Sequence, residues 1–174
     1  MSDLRYPIGR FTPPAAYAPD VRAGFIQDIA SLPAALRAAV QPLTSTQRET
    51  PYRDGGWTVA QVVHHLPDSH LNAYVRFRLA LTEDAPTIKP YDETRWAELP
   101  DARSPDLTCS LALLTALHGR WTVLLKALRE DDFARTYVHP TNGATLLDRQ
   151  LALYAWHGKH HVAHITQLRE RMGW

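Results

Sequence analysis

The sequence predicts an all-α protein: a four-helix bundle with a long crossover loop. Three observations predict it. Four stretches carry apolar residues at helical spacing, proline- and glycine-rich connectors separate them, and no stretch alternates as a strand does. Two of the three connections are of moderate length and one is long, which suits a bundle with a crossover. The 174 residues suffice for one domain with its own core. We read residues 1–174 as that single domain, with 1–19 as an extended arm.

The elements follow in order. Pro7, Pro13, Pro14 and Pro19 keep the arm out of a helix. Asp20 can cap a first helix that runs to about Val40, with Ala23, Ile26, Gln27, Ala30, Ala34 and Val40 as its buried face and Pro33 as a kink or break. Residues 41–56 connect, and Pro51-Tyr-Arg-Asp-Gly-Gly56 reads as a tight turn. Thr58 stands three before Gln61, the spacing of a capping box, and opens a helix from Val59 to about Thr82. Val62, Val63, Leu66, Ala73, Phe77 and Leu81 are its apolar residues. Pro67, inside that helix, removes the backbone bond to Val63. Residues 85–105 hold Pro86, Pro90, Pro100 and Pro105, a spacing no helix survives, so this is the long connection. Ser104 as cap and Pro105 as first helical residue open a third helix from about Asp106 to Arg129, buried through Leu111, Leu114, Leu117, Trp121, Leu125 and Leu128. Residues 130–144 are a loop with a turn at His139-Pro-Thr-Asn-Gly143. Thr145-x-x-Asp148 starts the last helix, which ends at Gly173.

Bulk properties exclude several classes. A formal net charge of +1 without a long like-charge run argues against nucleic acid or an anionic membrane as partner. No apolar stretch approaches the ~18 residues of a membrane span, and the N-terminal MSDLRYPIGRF is not a secretory leader. Cys109 is the only cysteine, so any metal site must be built from His, Asp and Glu. A cytoplasmic location is the simplest reading.

The last helix carries the candidate chemistry. His157, His160, His161 and His164 share one arc, together with Leu146, Leu153, Tyr154, Ile165 and Leu168, so they point inward. His157 and His161 are four apart and can give two imidazoles to one ion. A further ligand must come from a facing helix. On the second helix, Gln61, Ser69, Asn72 and Arg76 lie within about 40° of His65, and Asp68 within about 60°. His64 lies about 100° away and His70 about 140° away. That polar stripe selects His65. We read His160 and His164 as supporting or ordinary polar residues, and His64, His70, His118 and His139 as structural.

Here the residues meet a resemblance. Trp57-Thr-Val-Ala-Gln-Val-Val-His64-His65-Leu66, with His157-x-x-x-His161-x-x-His164-Ile165, resembles the DinB-like superfamily of metal-binding four-helix bundles, and is most similar to its YfiT-like group of metal-dependent hydrolases. The likeness extends through Tyr6-Pro-Ile-Gly9, Gly55-Gly-Trp-Thr58, Arg76-Phe77, Pro90-Tyr-Asp92 and Trp96-Ala-Glu-Leu-Pro100. It implies His65, His157 and His161 as ligands, in agreement with the stripe. Glutamine in place of His164, and glycine in place of Ala163, are common among relatives. The resemblance also implies a homodimer, which the arm and the 85–105 loop could cover.

Three neutral histidines leave the full charge on one divalent ion and leave a position open for water or substrate. We expect zinc, with nickel as the alternative. The partner is then a small molecule. If a low-molecular-weight thiol binds as thiolate, no protein base is needed; several DinB-like proteins are thiol-dependent S-transferases of the bacillithiol, mycothiol or glutathione type. If water is activated, the chain is a hydrolase of an ester, amide or similar substrate, and Asp68 or His164 is the candidate base. Gly158 stands where a HExxH peptidase has glutamate, which argues against a peptidase. A non-catalytic, metal-stabilised bundle is the third reading, and a fourth protein ligand would favour it. Asn72 and Arg76 are candidate substrate contacts.

Overall fold

A computed structural model describes residues 3–174. Four long helices dominate it: α1 (Pro19–Val40), α3 (Val59–Thr82), α5 (Thr108–Ala127) and α7 (Leu147–Met172). Three single-turn helices lie between them: α2 (Ser45–Arg48), α4 (Glu93–Trp96) and α6 (Glu130–Phe133). Strands β1 (Thr136–His139) and β2 (Gly143–Leu146) form an antiparallel hairpin before α7.

The bundle is a four-cornered one. α1 packs on α5 and α7, and α3 packs on the same two, so α1 and α3 are diagonal. Side-chain pairings give the directions. Arg22 meets Asp148 and Arg169 meets the Ala39 carbonyl, so α1 and α7 are parallel. His64 meets Ser110 and Phe77 meets Trp121, so α3 and α5 are parallel too. Parallel neighbours require a connection that runs back along the bundle, and residues 83–107 supply it. This is the long crossover that the prolines predict.

Local chemistry explains most boundaries. The Thr58–Gln61 capping box forms reciprocally: Thr58 Oγ1 accepts from Gln61 N at 3.1 Å and Gln61 Oε1 accepts from Thr58 N at 2.9 Å. Gly173, at φ +69°, ends α7 in the left-handed conformation that glycine adopts without strain.

Several expectations are corrected. Asp20 is not a cap; Ala18 holds that position, Pro19 opens α1, and Asp20 lies in its first turn. Pro33 does not break α1. The buried face of α1 is Ile29, Leu32, Leu36, Ala39 and Val40; of the expected face, Val40 is buried and Ile26 packs half-buried against the core, whereas Ala23, Gln27 and Ala34 are exposed. α5 starts at Thr108 rather than at Pro105, because the Ser104 and Asp106 side chains accept from Asp106 N and Thr108 N in a turn that precedes it. The 85–105 stretch does hold a helical turn, α4, capped by Asp92. Thr145 does not start the last helix. It lies in β2, and Asp148 is taken up by a bidentate ion pair with Arg22 at 2.7 and 2.9 Å.

The core has two apolar clusters, one above the other. Leu36, Val63, Leu66, Leu111, Leu114 and Ile165 belong to one. Phe77, Trp121, Leu125, Leu147, Leu151 and Tyr154 belong to the other. Histidines sit at and just beyond the junction: His70 on α3 and His161 on α7, with half-buried His157, fall between the clusters in sequence, and His118 on α5 falls just inside the second, after Leu117. Polar groups at that depth must satisfy one another.

Candidate metal centre

The structure brings His65, His157 and His161 together. The Nε2 atoms of His65 and His157 are 3.3 Å apart, and those of His161 and His157 are 3.2 Å apart. Four ligands set tetrahedrally at 2.0–2.1 Å from one ion would stand about 3.3 Å from each other. Two of the three nitrogen pairs therefore have the spacing a single ion requires, and all three nitrogens lie within 4.8 Å of one another. The i, i+4 pair comes from successive turns of α7, and His65 faces it from α3, held by the Trp57 ring 4.8 Å away.

Burial keeps the rings neutral. It lowers His65 to about 4, with nearby His160 adding to the effect. His157 and His161 lie well below the ordinary histidine range, first through burial and then through their histidine neighbours. Neutral imidazole is the form that binds metal.

All three histidines line one cavity of about 350 Å³, so a site formed by their nitrogens opens onto space rather than onto a fourth protein ligand. Ser69 and Tyr154 form part of its wall, hydroxyl to hydroxyl at 3.2 Å. Tyr91 is pushed up to about 12 by burial, and Tyr154 is raised for the same reason, so both phenols keep their protons. Arg76 lines the cavity and makes no ion pair among the described residues. Its charge works to lower Tyr137, His139 and Tyr154 against the raising effect of burial on the two phenols. Glu93, on α4, is the carboxylate in the wall.

Other expected residues sit elsewhere. Asn72 is not in the cavity wall, and its amide donates to the Asp68 carbonyl one turn back at 2.9 Å. Asp68 is also outside the wall; burial raises its pKa, with Asp101 adding to it. His164 lies behind His161, Nδ1 to Nδ1 at 3.4 Å. Neither candidate base faces the cavity. Gly158 is not a vacant catalytic position. It faces α1, where a Cβ would lie 2.6 Å from Leu32 Cδ2, so its small size serves close packing of α1 on α7.

Sequence reasoning missed Tyr91 and Glu93 as wall residues because they sit in the irregular crossover. It also set His70 and His118 aside. His70 Nε2 lies 3.2 Å from His157 Nδ1, and His70 Nδ1 lies 3.0 Å from His118 Nε2. The helical wheel put His70 off the His65 face, but it measures angle and ignores height. His157 fits between His65 and His70 along the α3 axis.

The profile of the DinB superfamily matches residues 28–165. The chain is 51% identical to YfiT of Bacillus subtilis (strain 168), provisionally named a metal-dependent hydrolase, over 99% of this chain and 97% of that one. It is 53% identical to a Bacillus mycoides (strain KBAB4) protein of the same provisional name, over the whole of both. The solved structure of Bacillus subtilis YfiT, described as having an unusual four-helix bundle topology, superposes with a TM-score of 0.95 at 52% identity, covering 98% of each chain. The chain belongs to the DinB superfamily.

Proposed function

We propose that this DinB-superfamily chain is a metal-dependent enzyme that joins a low-molecular-weight thiol, of the bacillithiol type, to a small electrophile. His65, His157 and His161 hold one divalent ion, zinc in the first instance and nickel as the alternative. A divalent ion in this setting supplies Lewis acidity that favours the deprotonated form of a thiol or of water. The observation that carries the reading is the convergence of three neutral imidazoles on a cavity wall, with none of them hydrogen-bonded to a carboxylate. A thiol needs no protein base under those conditions. Its proton leaves to solvent, a carbon–sulfur bond forms, and the bond to a leaving group such as chloride breaks.

The chain's own residues bind and orient. Arg76, in the wall and without an ion pair among the described residues, suits an anionic group on the thiol or the electrophile. Tyr91 and Tyr154 stay protonated and can donate hydrogen bonds to a bound polar group. The names of the relatives support metal dependence, and the cavity of about 350 Å³ supports a small-molecule substrate. They also favour a second reading, hydrolysis of an ester or amide, and one observation supports it: Glu93 lines the cavity and could serve as base. We place the protein in the cytoplasm, supported by its single, exposed, free cysteine. We also take it to be a homodimer, supported by Leu71 and Val75, which stand exposed one turn apart on α3. Light scattering checks the dimer.

One assay tests the activity. Metal-loaded protein is given cellular thiols with a chlorinated aromatic or quinone, beside esters and amides without thiol. We expect thiol-dependent turnover that survives Glu93→Gln. Thiol-independent, metal-requiring ester turnover that Glu93→Gln lowers by roughly 100-fold or more would overturn the transferase in favour of the hydrolase.

A further inference from the structure

We infer that two histidine relays, each ending on a backbone carbonyl, hold His157 and His161 as the tautomers whose Nε2 lone pairs point at the proposed ion. The inference rests on the metal reading above for its purpose, but its geometry is independent of it.

The deep relay begins at Ile29. His118 Nδ1 lies 2.6 Å from the Ile29 carbonyl oxygen. A carbonyl only accepts, so His118 carries its proton on Nδ1, and in a neutral ring Nε2 then accepts. His70 Nδ1, 3.0 Å from His118 Nε2, must be the donor. His70 Nε2 is then an acceptor, and His157 Nδ1, 3.2 Å from it, donates. His157 Nε2 is left with a free lone pair. All four long helices contribute: α1 the carbonyl, α5 His118, α3 His70 and α7 His157.

A proline makes the Ile29 carbonyl available. In an α-helix the carbonyl of residue 29 accepts from the N–H of residue 33. Residue 33 is Pro33, which has no N–H, so the carbonyl lacks its helical donor. His118 fills the gap.

The shallow relay has one link. His164 Nε2 lies 3.3 Å from the Arg5 carbonyl and so carries the proton. His164 Nδ1 accepts from His161 Nδ1 at 3.4 Å, which frees His161 Nε2. His160, His161 and His164 offer nitrogens within 4.8 Å of one another, which could suggest a second ion. The relay excludes it, because His161 Nδ1 keeps its proton. His70, His118 and His164 are therefore positioning residues.

The experiment reads tautomers first. Long-range nitrogen–proton NMR of metal-free wild type should show His157, His161 and His70 protonated on Nδ1. Titration with zinc should give one ion per chain. Competition titration should show zinc binding weakened roughly 10- to 100-fold in His118→Phe and in His164→Leu. His164→Gln, whose amide can accept from His161 and donate to Arg5, should restore it. Protons on Nε2 of His157 or His161, two ions per chain, or unchanged zinc affinity in folded His118→Phe and His164→Leu would each overturn the relays. The NMR test uses the unaltered chain, so a variant that fails to fold leaves it standing. A wild type that has the expected tautomers but binds no zinc would sink the metal reading and leave the relays intact.

Discussion

His157 and His161 sit one turn apart on α7 and face the same point, yet they are anchored in different regions of the molecule. Behind His157 stand His70 and His118, at 0% and 1% exposure, and then the α1 backbone. Behind His161 stands His164, itself 3% exposed and stacked on Tyr52 at 4.0 Å, which reaches an arm ahead of α1 whose Arg5 is exposed. The contacts follow the same order: 2.6–3.2 Å in the deep relay and 3.3–3.4 Å in the shallow one. The deep anchor moves only if the core moves. The shallow one can open with the arm while the bundle stays folded. One chemical task has been given both a rigid and a yielding support.

Four measurements would break or sharpen that contrast. The largest effect belongs to the ligands themselves: a His157→Ala, His161→Ala double variant should carry no bound metal by elemental analysis, and one ion per chain would refute the site. Next comes Arg22→Ala. The Arg22–Asp148 pair is nearly buried and ties α1 to α7, the first and last helices of the deep relay. Its loss should cost about 3–5 kcal/mol in denaturant unfolding by leaving Asp148 uncompensated. Zinc affinity should fall as well if the deep anchor depends on that clamp.

Acid should act on the deep relay third. Burial lowers His118 to about 4, partly offset by its bond to Ile29, against 6.5 in an unfolded chain. Between those values the unfolded state binds the extra proton, so stability rises with pH through this window and falls as pH drops from 6.5 to 4. His118 alone accounts for roughly 3 kcal/mol of that loss. Urea midpoints of metal-free protein at pH 7 and 5 check the direction, and a flat profile would mean the ring is not held neutral. The smallest effect should come from the arm. A chain beginning at Phe11 lacks the Arg5 carbonyl, and its zinc affinity should drop only several-fold with little change in stability. A loss equal to that of His118→Phe would erase the distinction between the two anchors.

Much of this was legible in the sequence, and the exceptions have identifiable causes. The Thr58 capping box, the crossover and three helix faces follow from local rules. The α1 face did not, because alanines occur all round that helix and leave its period ill-defined. The hairpin escaped because each strand is four residues long, too short to display alternation. The trio of His65, His157 and His161 was visible as an i, i+4 pair facing a polar stripe. The relays were not. Their endpoints are backbone carbonyls, which have no letter in the sequence, and His118 comes from a helix whose pattern reads as pure core.

Pro33 bears on anyone who would engineer this scaffold. A proline inside a helix is a standard target for stabilisation, and Pro33→Ala would be among the first changes proposed, since interior proline costs about 3 kcal/mol relative to alanine. Here that substitution would restore a backbone donor to compete with His118 for the Ile29 oxygen. A screen on thermal stability would reward the change, while a screen on metal retention would reject it.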